Sequence, residues 1–388
     1  MRSAFGLQTR AFRMKQRSNR NFELRISNCE SFPSGVGALN SKFAVRNSQF
    51  EIPLRIPTLD ALRGVASLAV MWFHFSLQPY LSNDAIRRSG KYGWLGVDVF
   101  FVVSGFVIPY TMVRSGFRLG DYWRFLLKRI TRLDPPYLLT ILLIIGYRYF
   151  VTISPSYQGP PFHLSATQIV LHIGYLNAFF GYEWFNPVFW SLAIEFQYYI
   201  AIGLLFPVLF SRNSYVRIAS LLALAGLSFI PQAGGVIVPF VPFFLLGIVT
   251  LQKYLGLLSP VVYVILALLL SVLIIPILGV SAAMVGCATA LLIAYVRIDS
   301  RVLAFLGLIS YSLYLLHAPI GLRLLEQAMS RLNDPYWALV VTVAIIIPVV
   351  TIFYWFVEKP SQMLSRRISN REICRSKIRH VQLTSPPV

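Results

Sequence analysis

Charged residues are scarce in this chain, at 13% of its 388 residues, and acidic residues are the scarcest of them. Only 15 Asp and Glu stand against 35 Lys and Arg, and 56% of the chain is hydrophobic. A water-soluble domain carries about a quarter of its residues as charges. The composition therefore excludes an ordinary soluble protein and predicts one that crosses a lipid bilayer several times.

The small number of acids leaves a formal net charge of +20. Such a charge is common in nucleic-acid-binding proteins, but here the basic residues lie in short runs between apolar segments and not on one soluble face. We therefore expect the lipid bilayer as a partner and no nucleic acid. The basic runs indicate membrane topology instead.

Cysteine is also scarce, with only Cys29, Cys287 and Cys374 in the whole chain. The count is odd, and no pair has the spacing of a CxxC motif. The sequence therefore predicts neither a disulfide framework nor a metal site.

The first 56 residues lack the apolar core of a secretory signal and are instead polar and basic. An arginine- and serine-rich, acid-poor start is also typical of an organellar transit peptide. We favour a disordered basic extension in the cytoplasm. The predicted organisation is an extension over 1–56, a membrane domain over 57–360 and a basic cytoplasmic tail over 361–388.

Ten apolar segments of the membrane domain are long enough to span a bilayer. One more stretch, 165–181, is ambiguous because its flanks are rich in proline. The ten segments lie at about 58–78, 94–114, 135–153, 190–210, 215–231, 236–252, 258–277, 281–297, 302–325 and 336–357.

The positions of the basic residues decide how the ambiguous stretch is read. If 165–181 does not cross, most basic loops, the extension and the tail share one side of the membrane, as the positive-inside rule requires. We therefore predict an all-α polytopic membrane protein with about ten transmembrane helices and both termini cytoplasmic. Residues 154–189 are predicted to form one outer re-entrant or interfacial segment.

Two ionisable side chains, Arg63 and His74, lie inside the first apolar segment. Eleven helical positions return to the same face and separate the two by roughly 16 Å along the axis. Ionisable groups in a bilayer are costly, so both are functional candidates. The alternatives are a snorkelling anchor for Arg63 and a polar packing group for His74.

Asp98 begins the second apolar segment, and Ser104 and Gly105 follow it deeper in the membrane. Asp98 is either a functional carboxylate or a helix-start residue favoured by the helix dipole. The Ser-Gly pair allows either close packing of two helices or close approach of a ligand to the backbone.

Glu195 lies about a turn inside the fourth segment, where apolar neighbours cannot satisfy a carboxylate. His317 lies in the ninth segment, with Ser310 seven residues earlier on nearly the same face. Both are candidates for chemistry. A packing or capping role is the alternative for the Ser310 and His317 cluster, because serine and tyrosine commonly join membrane helices.

Arg129 and Arg132 are three residues apart, on one helix face just before Pro135 and Pro136. They are either positive-inside anchors or a pair of guanidinium groups suited to a phosphorylated cytosolic ligand. The predicted topology places Arg63, Arg129 and Arg132 toward the cytoplasm. It places the other candidates, His74, Asp98, Glu195 and His317, toward the outside.

Six motifs in order make the chain resemble the integral-membrane acyltransferase family 3, which includes O-antigen, exopolysaccharide and nodulation-factor acetylases. The resemblance covers about 57–360. Its motifs are Arg63 followed by His74 after ten residues, GVDVFFVVSGF at 96–106, Arg129 and Arg132 before Pro136-Tyr137, WSLAIEF at 190–196, SYSLYLLH at 310–317 and VEKP at 357–360.

The resemblance implies an O-acetyltransferase of the bacterial inner membrane that transfers an acyl group, usually acetyl from cytosolic acetyl-CoA, to a hydroxyl of a glycan or glycolipid. It also implies that His74 and Arg63 form the signature pair and that Arg129, Arg132 and Glu195 are further motif positions. Asp98 and His317 match motifs as well.

Residues and resemblance together suggest a relay across the membrane. Arg129 and Arg132 would hold the phosphates of acyl-CoA, and His74, tuned by Glu195 or Asp98, would be the general base. Arg63 would polarise the thioester or hold the CoA end. The alternative class is a proton-coupled transporter or flippase, in which buried His and Glu side chains form a proton path.

Overall fold

The computed structural model describes residues 56–81, 83–154, 159, 162–230 and 235–368. The predicted basic extension, most of the predicted tail, Cys29 and Cys374 lie outside these residues. All regular secondary structure within them is helical. This confirms the predicted all-α class.

The described helices follow the predicted apolar pattern closely. Two of them continue through a π-helical turn, at His317–Gly321 and at Tyr354–Glu358. The α-helices are α1 Pro57–Ser76, α2 Asp84–Gly90, α3 Gly96–Ser115, α4 Tyr122–Thr152, α5 Ala166–Ile173, α6 Phe189–Leu209, α7 Ser214–Leu227, α8 Val241–Tyr254, α9 Pro260–Leu278, α10 Val280–Tyr295, α11 Arg301–Leu316, α12 Leu322–Leu332 and α13 Pro335–Phe353.

Each of the ten predicted segments contains one of these helices, and the largest difference in a boundary concerns α4. The prediction starts that segment at Pro135, but the helix begins at Tyr122 and runs through both prolines. Proline removes one backbone donor, and neighbouring helices can satisfy the carbonyls that this leaves free. The side chain of Tyr311 donates to the Leu133 carbonyl at 2.8 Å, so a neighbouring helix is bonded to the backbone of α4 just before the two prolines.

Among the described residues, six helical stretches are long and apolar enough to cross a membrane, and three shorter apolar helices accompany them. Helix α1 also has 20 residues, but Asp60, Arg63 and His74 reduce its apolarity. Helix α5, at eight residues, extends only about 12 Å and is too short to cross the roughly 30 Å hydrocarbon core. This agrees with the prediction that 165–181 does not span.

Large apolar side chains cover the outside of the helices. Leu142, Phe150, Leu268 and Val272 are all more than half exposed. In water such a surface would be unfavourable, whereas lipid tails solvate it. The chain is a multi-pass integral membrane protein.

Glycines bring two pairs of helices into backbone contact. Helix α1 packs along α11, and a Cβ added to Gly307 would lie 2.1 Å from the Asp60 carbonyl oxygen. Helix α3 packs along α8, and a Cβ on Gly105 would lie 2.2 Å from the Phe244 carbonyl oxygen. Gly105 therefore serves close helix packing, one of the two roles predicted for the Ser-Gly pair.

We expect Gly307→Ala to lower the melting temperature of the purified protein, because the new methyl group meets backbone and not a movable side chain. Overpacking of this kind costs about 1–3 kcal/mol. Gly146→Ala is the matched control, since it lies within α4 with nothing within 4 Å of the added Cβ. Equal melting temperatures for the two variants would contradict the close contact of α1 with α11.

Candidate active site

The candidate residues lie at two ends of the helix bundle. Arg63 and His74 lie on α1, about 16 Å apart along its axis. Helix α4 has the same order, with Arg129 and Arg132 toward its start and Arg148 toward its end. The end that holds Arg63, Arg129 and Arg132 is called the arginine end below, and the opposite one the histidine end.

A cavity of ≈ 100 Å³, here called the arginine cavity, lies between α1, α3, α4, α6, α11 and the π-helical turn after α13. It brings together four of the seven predicted site residues. Its polar lining consists of the charged side chains Arg63, Arg129, Arg132, Glu195 and Glu358 and the hydroxyl groups of Ser104, Ser191, Tyr199, Ser310, Tyr311 and Tyr314.

Glu195 is held in this cavity by two hydroxyl groups. Its carboxylate accepts hydrogen bonds from Ser104 Oγ at 2.9 Å and from the Tyr199 hydroxyl at 2.5 Å. Arg129 and Arg63 lie close enough to interact with it electrostatically. The carboxylate that the sequence singles out therefore belongs with the arginines.

Arg129 is fixed from several sides. Its Nη2 donates to Thr111 Oγ1 at 2.6 Å, and its guanidinium lies over the rings of Phe125 and Tyr199, 5.3 and 5.8 Å from their centroids. Its Nε is buried and has no hydrogen-bond partner among the residues that the structure describes. A positioned guanidinium with an unused donor is suited to an anionic ligand. Arg132, one turn further along α4, lines the same cavity.

Glu358 is a member of the site that the residue-by-residue reading of the sequence missed. Its carboxylate accepts from the Ser312 amide at 3.2 Å, from Ser312 Oγ at 2.5 Å and from Gln362 Nε2 at 2.9 Å. Arg63 and Arg132 interact with it electrostatically. The available signal was an acidic residue within the VEKP motif, at the end of the last apolar segment.

The lining of the arginine cavity has more basic than acidic side chains. Three arginines face two carboxylates, and Asp60, which does not line the cavity, also interacts electrostatically with Arg63. An anionic ligand would place further negative charge beside Arg129 and Arg132.

At the histidine end, the rings of His74 and His317 face each other. His74 Nδ1 lies 3.3 Å from His317 Nε2, although 243 residues separate them in the chain. His74 Nδ1 also lies 2.9 Å from the Val70 carbonyl oxygen, and His317 Nδ1 lies 3.1 Å from that of Leu313. The structure therefore brings together two predicted site residues from opposite halves of the sequence.

These contacts assign the protons of the pair. A carbonyl oxygen can only accept, so each Nδ1 carries the hydrogen. The single hydrogen on His74 Nδ1 is then shared between the Val70 carbonyl and His317 Nε2, and His74 Nε2 keeps its lone pair. In this tautomer His74 can take up a proton or attack an electrophile through Nε2, while His317 supports its other nitrogen.

Tyr314 lies between the two groups of residues. It lines the arginine cavity, its hydroxyl lies 2.5 Å from Ser191 Oγ, and its ring centroid is 5.8 Å from that of His317. Neither histidine lines the arginine cavity as the structure describes it. Tyr314 is thus the contact between the arginine cavity and the histidine pair.

Asp98 is placed apart from both groups. It lies in the first turn of α3, is only 3% exposed, and has one carboxylate oxygen without a hydrogen-bond partner. It does not line the arginine cavity. Within the described part of the chain, the side chain hydrogen-bonded to the His74 ring is His317, and no hydrogen bond joins Asp98 or Glu195 to that ring.

Comparison with known proteins gives the class of this bundle. The model of an acyltransferase domain, that of acyltransferase family 3, matches residues 56–357. This match covers most of the chain. The protein belongs to this acyltransferase family, as the sequence motifs predicted.

Similar curated proteins carry related names. The chain is 27% identical over 186 residues to "O-acetyltransferase OatA" of Staphylococcus aureus, covering 45% of this chain and 28% of the relative. It is 28% identical over 157 residues to "Peptidoglycan O-acetyltransferase OatA" of Listeria monocytogenes, with 37% and 23% covered. For "Acyltransferase MdmB" of Streptomyces mycarofaciens the identity is 29% over 156 residues, with 39% of each chain covered.

The match to the first two relatives thus spans less than a third of their length. No solved structure matches the chain significantly. Sequence likeness establishes the family, and the helices described above establish the membrane fold.

Proposed function

We propose that the protein is a membrane O-acyltransferase that moves an acyl group, most simply acetyl, from cytosolic acyl-CoA to a hydroxyl of a glycan or glycolipid. One observation carries the proposal: a single bundle holds an arginine-rich cavity at one end and a paired histidine with a free Nε2 at the other. The names of the relatives, which include a peptidoglycan O-acetyltransferase, support acetyl as the group and a glycan as the acceptor.

The donor would bind at the arginine end. Arg129 and Arg132 would contact the phosphates of CoA, since planar guanidinium groups bind phosphate through two parallel hydrogen bonds. The unpartnered Nε of Arg129 and the three arginines of the lining favour such an anion. The pantetheine arm would then extend past Tyr314 toward the histidine pair, and Arg63 would hold the CoA end or polarise the thioester.

His74 would carry out the proton transfer. Its Nε2 would take the proton of the acceptor hydroxyl while that oxygen attacks the thioester carbon. The C–S bond would then break, and the CoA thiolate would take the proton from the imidazolium, which restores neutral His74. The protonated imidazole would still donate from Nδ1 to His317 Nε2 and to the Val70 carbonyl. Glu195 and Glu358 would position the arginines.

The location of the donor determines which end of the bundle faces the cytoplasm in this proposal. Acyl-CoA is cytosolic in this proposal, so the arginine end faces the cytoplasm and the histidine end faces out, as the basic loops predict. We propose the bacterial inner membrane as the location.

An assay with radiolabelled acetyl-CoA and crude envelope glycans tests the proposed activity. An acyltransferase transfers the label to the glycan, whereas a proton-coupled transporter or flippase leaves the glycan unlabelled. Heat-denatured protein is the blank. A glycan fraction that stays unlabelled, under conditions in which the purified protein is folded, would contradict the proposal.

We expect Arg132→Ala to weaken acyl-CoA binding by about tenfold or more, because it removes one charge-assisted contact to phosphate. Arg132→Lys should restore only part of the affinity, since lysine lacks the guanidinium fork. The measurement is CoA binding to purified protein by calorimetry. Arg331→Ala is the matched control, because Arg331 is exposed and lies on α12. Unchanged affinity for CoA in both Arg132 variants would contradict this role and would indicate that Arg132 is a membrane anchor.

A further inference from the structure

We propose that a second cavity, at the histidine end, is the subsite for the acceptor and that it selects acceptors bearing a carboxylate. Its role as an acceptor subsite rests on the proposed function, whereas its preference for an anionic sugar can be tested without any transfer. The cavity has a volume of ≈ 590 Å³. This lies within the range of about 300–1,000 Å³ that is typical of small-molecule pockets.

Neither histidine lines the second cavity, but residues that line it are bonded to the backbone next to both histidines. Gln78, which lines it, donates from Nε2 to the His74 carbonyl at 2.7 Å. Asn186, which also lines it, donates from Nδ2 to the Leu315 carbonyl at 3.0 Å. The neighbours of His317 in the chain, Leu316 and Ala318, line it as well. A molecule held here would lie beside the two histidines and away from the arginine cavity.

Its lining combines flat apolar faces with hydrogen-bonding groups. Tyr80, Tyr147 and Phe185 supply aromatic rings, and Gln78 and Asn186 supply carboxamides. A sugar has an apolar ring face and a rim of hydroxyl groups, so rings together with amides match both of its surfaces. The lining therefore fits a carbohydrate better than it fits a purely apolar ligand.

Two arginines give this cavity its charge preference. Arg323 pairs with Glu326 at 2.8 Å. Arg148, an exposed residue, lies over the rings of Phe162 and Phe185, 5.7 and 5.8 Å from their centroids, and among the described residues no carboxylate forms a salt bridge with it. A guanidinium held over aromatic rings and lacking an acidic partner is preorganised for a carboxylate of the ligand.

Arg148 and Arg323 lie at the opposite end of the bundle from Arg63, Arg129 and Arg132. Both are exposed, as are other basic residues at this end such as Arg88 and Arg331. An exposed arginine at a helix end can also anchor the protein at the membrane interface. The position of Arg148 over two aromatic rings of the cavity region distinguishes it from such an anchor.

Native and chemically modified glycans test this inference. Envelope glycans of the source cell are divided in two, and the carboxylates of one half are reduced to alcohols, which leaves any phosphate groups in place. Both halves are immobilised, and binding of the purified full-length protein in nanodiscs is measured at equal salt. The variants are Arg148→Gln and Arg323→Gln, with Arg331→Gln as control because Arg331 lies on the same helix as Arg323 but outside the cavity.

We expect the wild type and Arg331→Gln to bind the native glycans about tenfold more tightly than the reduced ones, a ratio that corresponds to one charge-assisted hydrogen bond. Arg148→Gln should abolish most of that preference, and Arg323→Gln a smaller part. Equal binding of the two halves by the wild type, or absence of binding to both, would overturn the inference. So would an Arg331→Gln variant that loses the preference, because the preference would then reflect overall charge.

Failure of the proposed function gives a different result. Glycans that bind with the expected preference but are never labelled from acetyl-CoA would support the carboxylate preference of the second cavity. The same result would contradict the proposed acyltransferase activity. Glycans that are labelled equally well in native and reduced form would do the reverse.

Discussion

Replacing His74 by alanine is expected to lower acyl transfer by roughly 10²- to 10⁴-fold, the usual contribution of a general base. His74 Nε2 keeps a lone pair because Nδ1 donates to the Val70 carbonyl and to His317. Alanine removes that base without touching the arginine cavity, so protein level and CoA binding should stay near wild type. The measurement is initial-rate transfer with radiolabelled acetyl-CoA.

Two further histidine variants sharpen this prediction. His317→Gln should cost less than His74→Ala, because a glutamine oxygen can still accept from His74 Nδ1. His163→Ala, at an exposed histidine outside the pair, should have no effect. A folded His74→Ala protein that transfers acyl groups at near wild-type rate would show that the base lies elsewhere.

Replacing Glu358 by alanine is expected to have the second large effect, on both folding and transfer. Its carboxylate is only 2% exposed and accepts two hydrogen bonds from Ser312. Its loss leaves Arg63 and Arg132 with one fewer compensating charge. Removing one partner from a buried charged cluster costs about 3–5 kcal/mol. We expect a clearly lower melting temperature and transfer near background.

Glu358→Gln separates the two effects. Glutamine keeps an acceptor for Ser312 but lacks the charge, so the protein should fold while transfer and CoA binding remain impaired. Glu183→Ala, at an exposed glutamate, is the matched control and should behave as wild type. Wild-type melting temperature and activity in Glu358→Ala would remove Glu358 from the site.

Much of the fold could be predicted from the sequence because the bilayer imposes simple rules. A spanning helix needs about 20 apolar residues, and each predicted segment does contain a helix. The short helix α5 fits the prediction of a segment that does not cross. The start of α4 was missed because prolines that break helices in water are accommodated when neighbouring helices satisfy the freed carbonyls.

The sequence indicated which residues are candidates for the site better than it indicated which of them contact one another. Glu195 and His74 could be selected from the sequence because an ionisable side chain is costly to bury in a membrane. Both lie in the interior of the bundle. Depth along one helix could not show that Glu195 contacts Ser104 and Tyr199 while His74 contacts His317. Those contacts depend on which faces of α1, α3, α6 and α11 meet, and glycine packing sets that geometry.

Glu358 is a site residue that could not be recognised from its local sequence alone. Its position at the end of a helix beside a lysine resembles an ordinary interfacial residue, and its burial results from a hydrogen bond to Ser312, 46 residues earlier. Long-range contacts of this kind leave only a short motif in the sequence.

Reconstitution into vesicles shows whether one bundle passes an acyl group from the arginine end to the histidine end. Proteoliposomes are prepared with radiolabelled acetyl-CoA sealed inside and envelope glycan outside, and His74→Ala proteoliposomes serve as the blank. We expect wild-type vesicles to label the outside glycan while they remain impermeable to CoA. Label that appears only after the vesicles are permeabilised, so that donor and acceptor share one side, would contradict it.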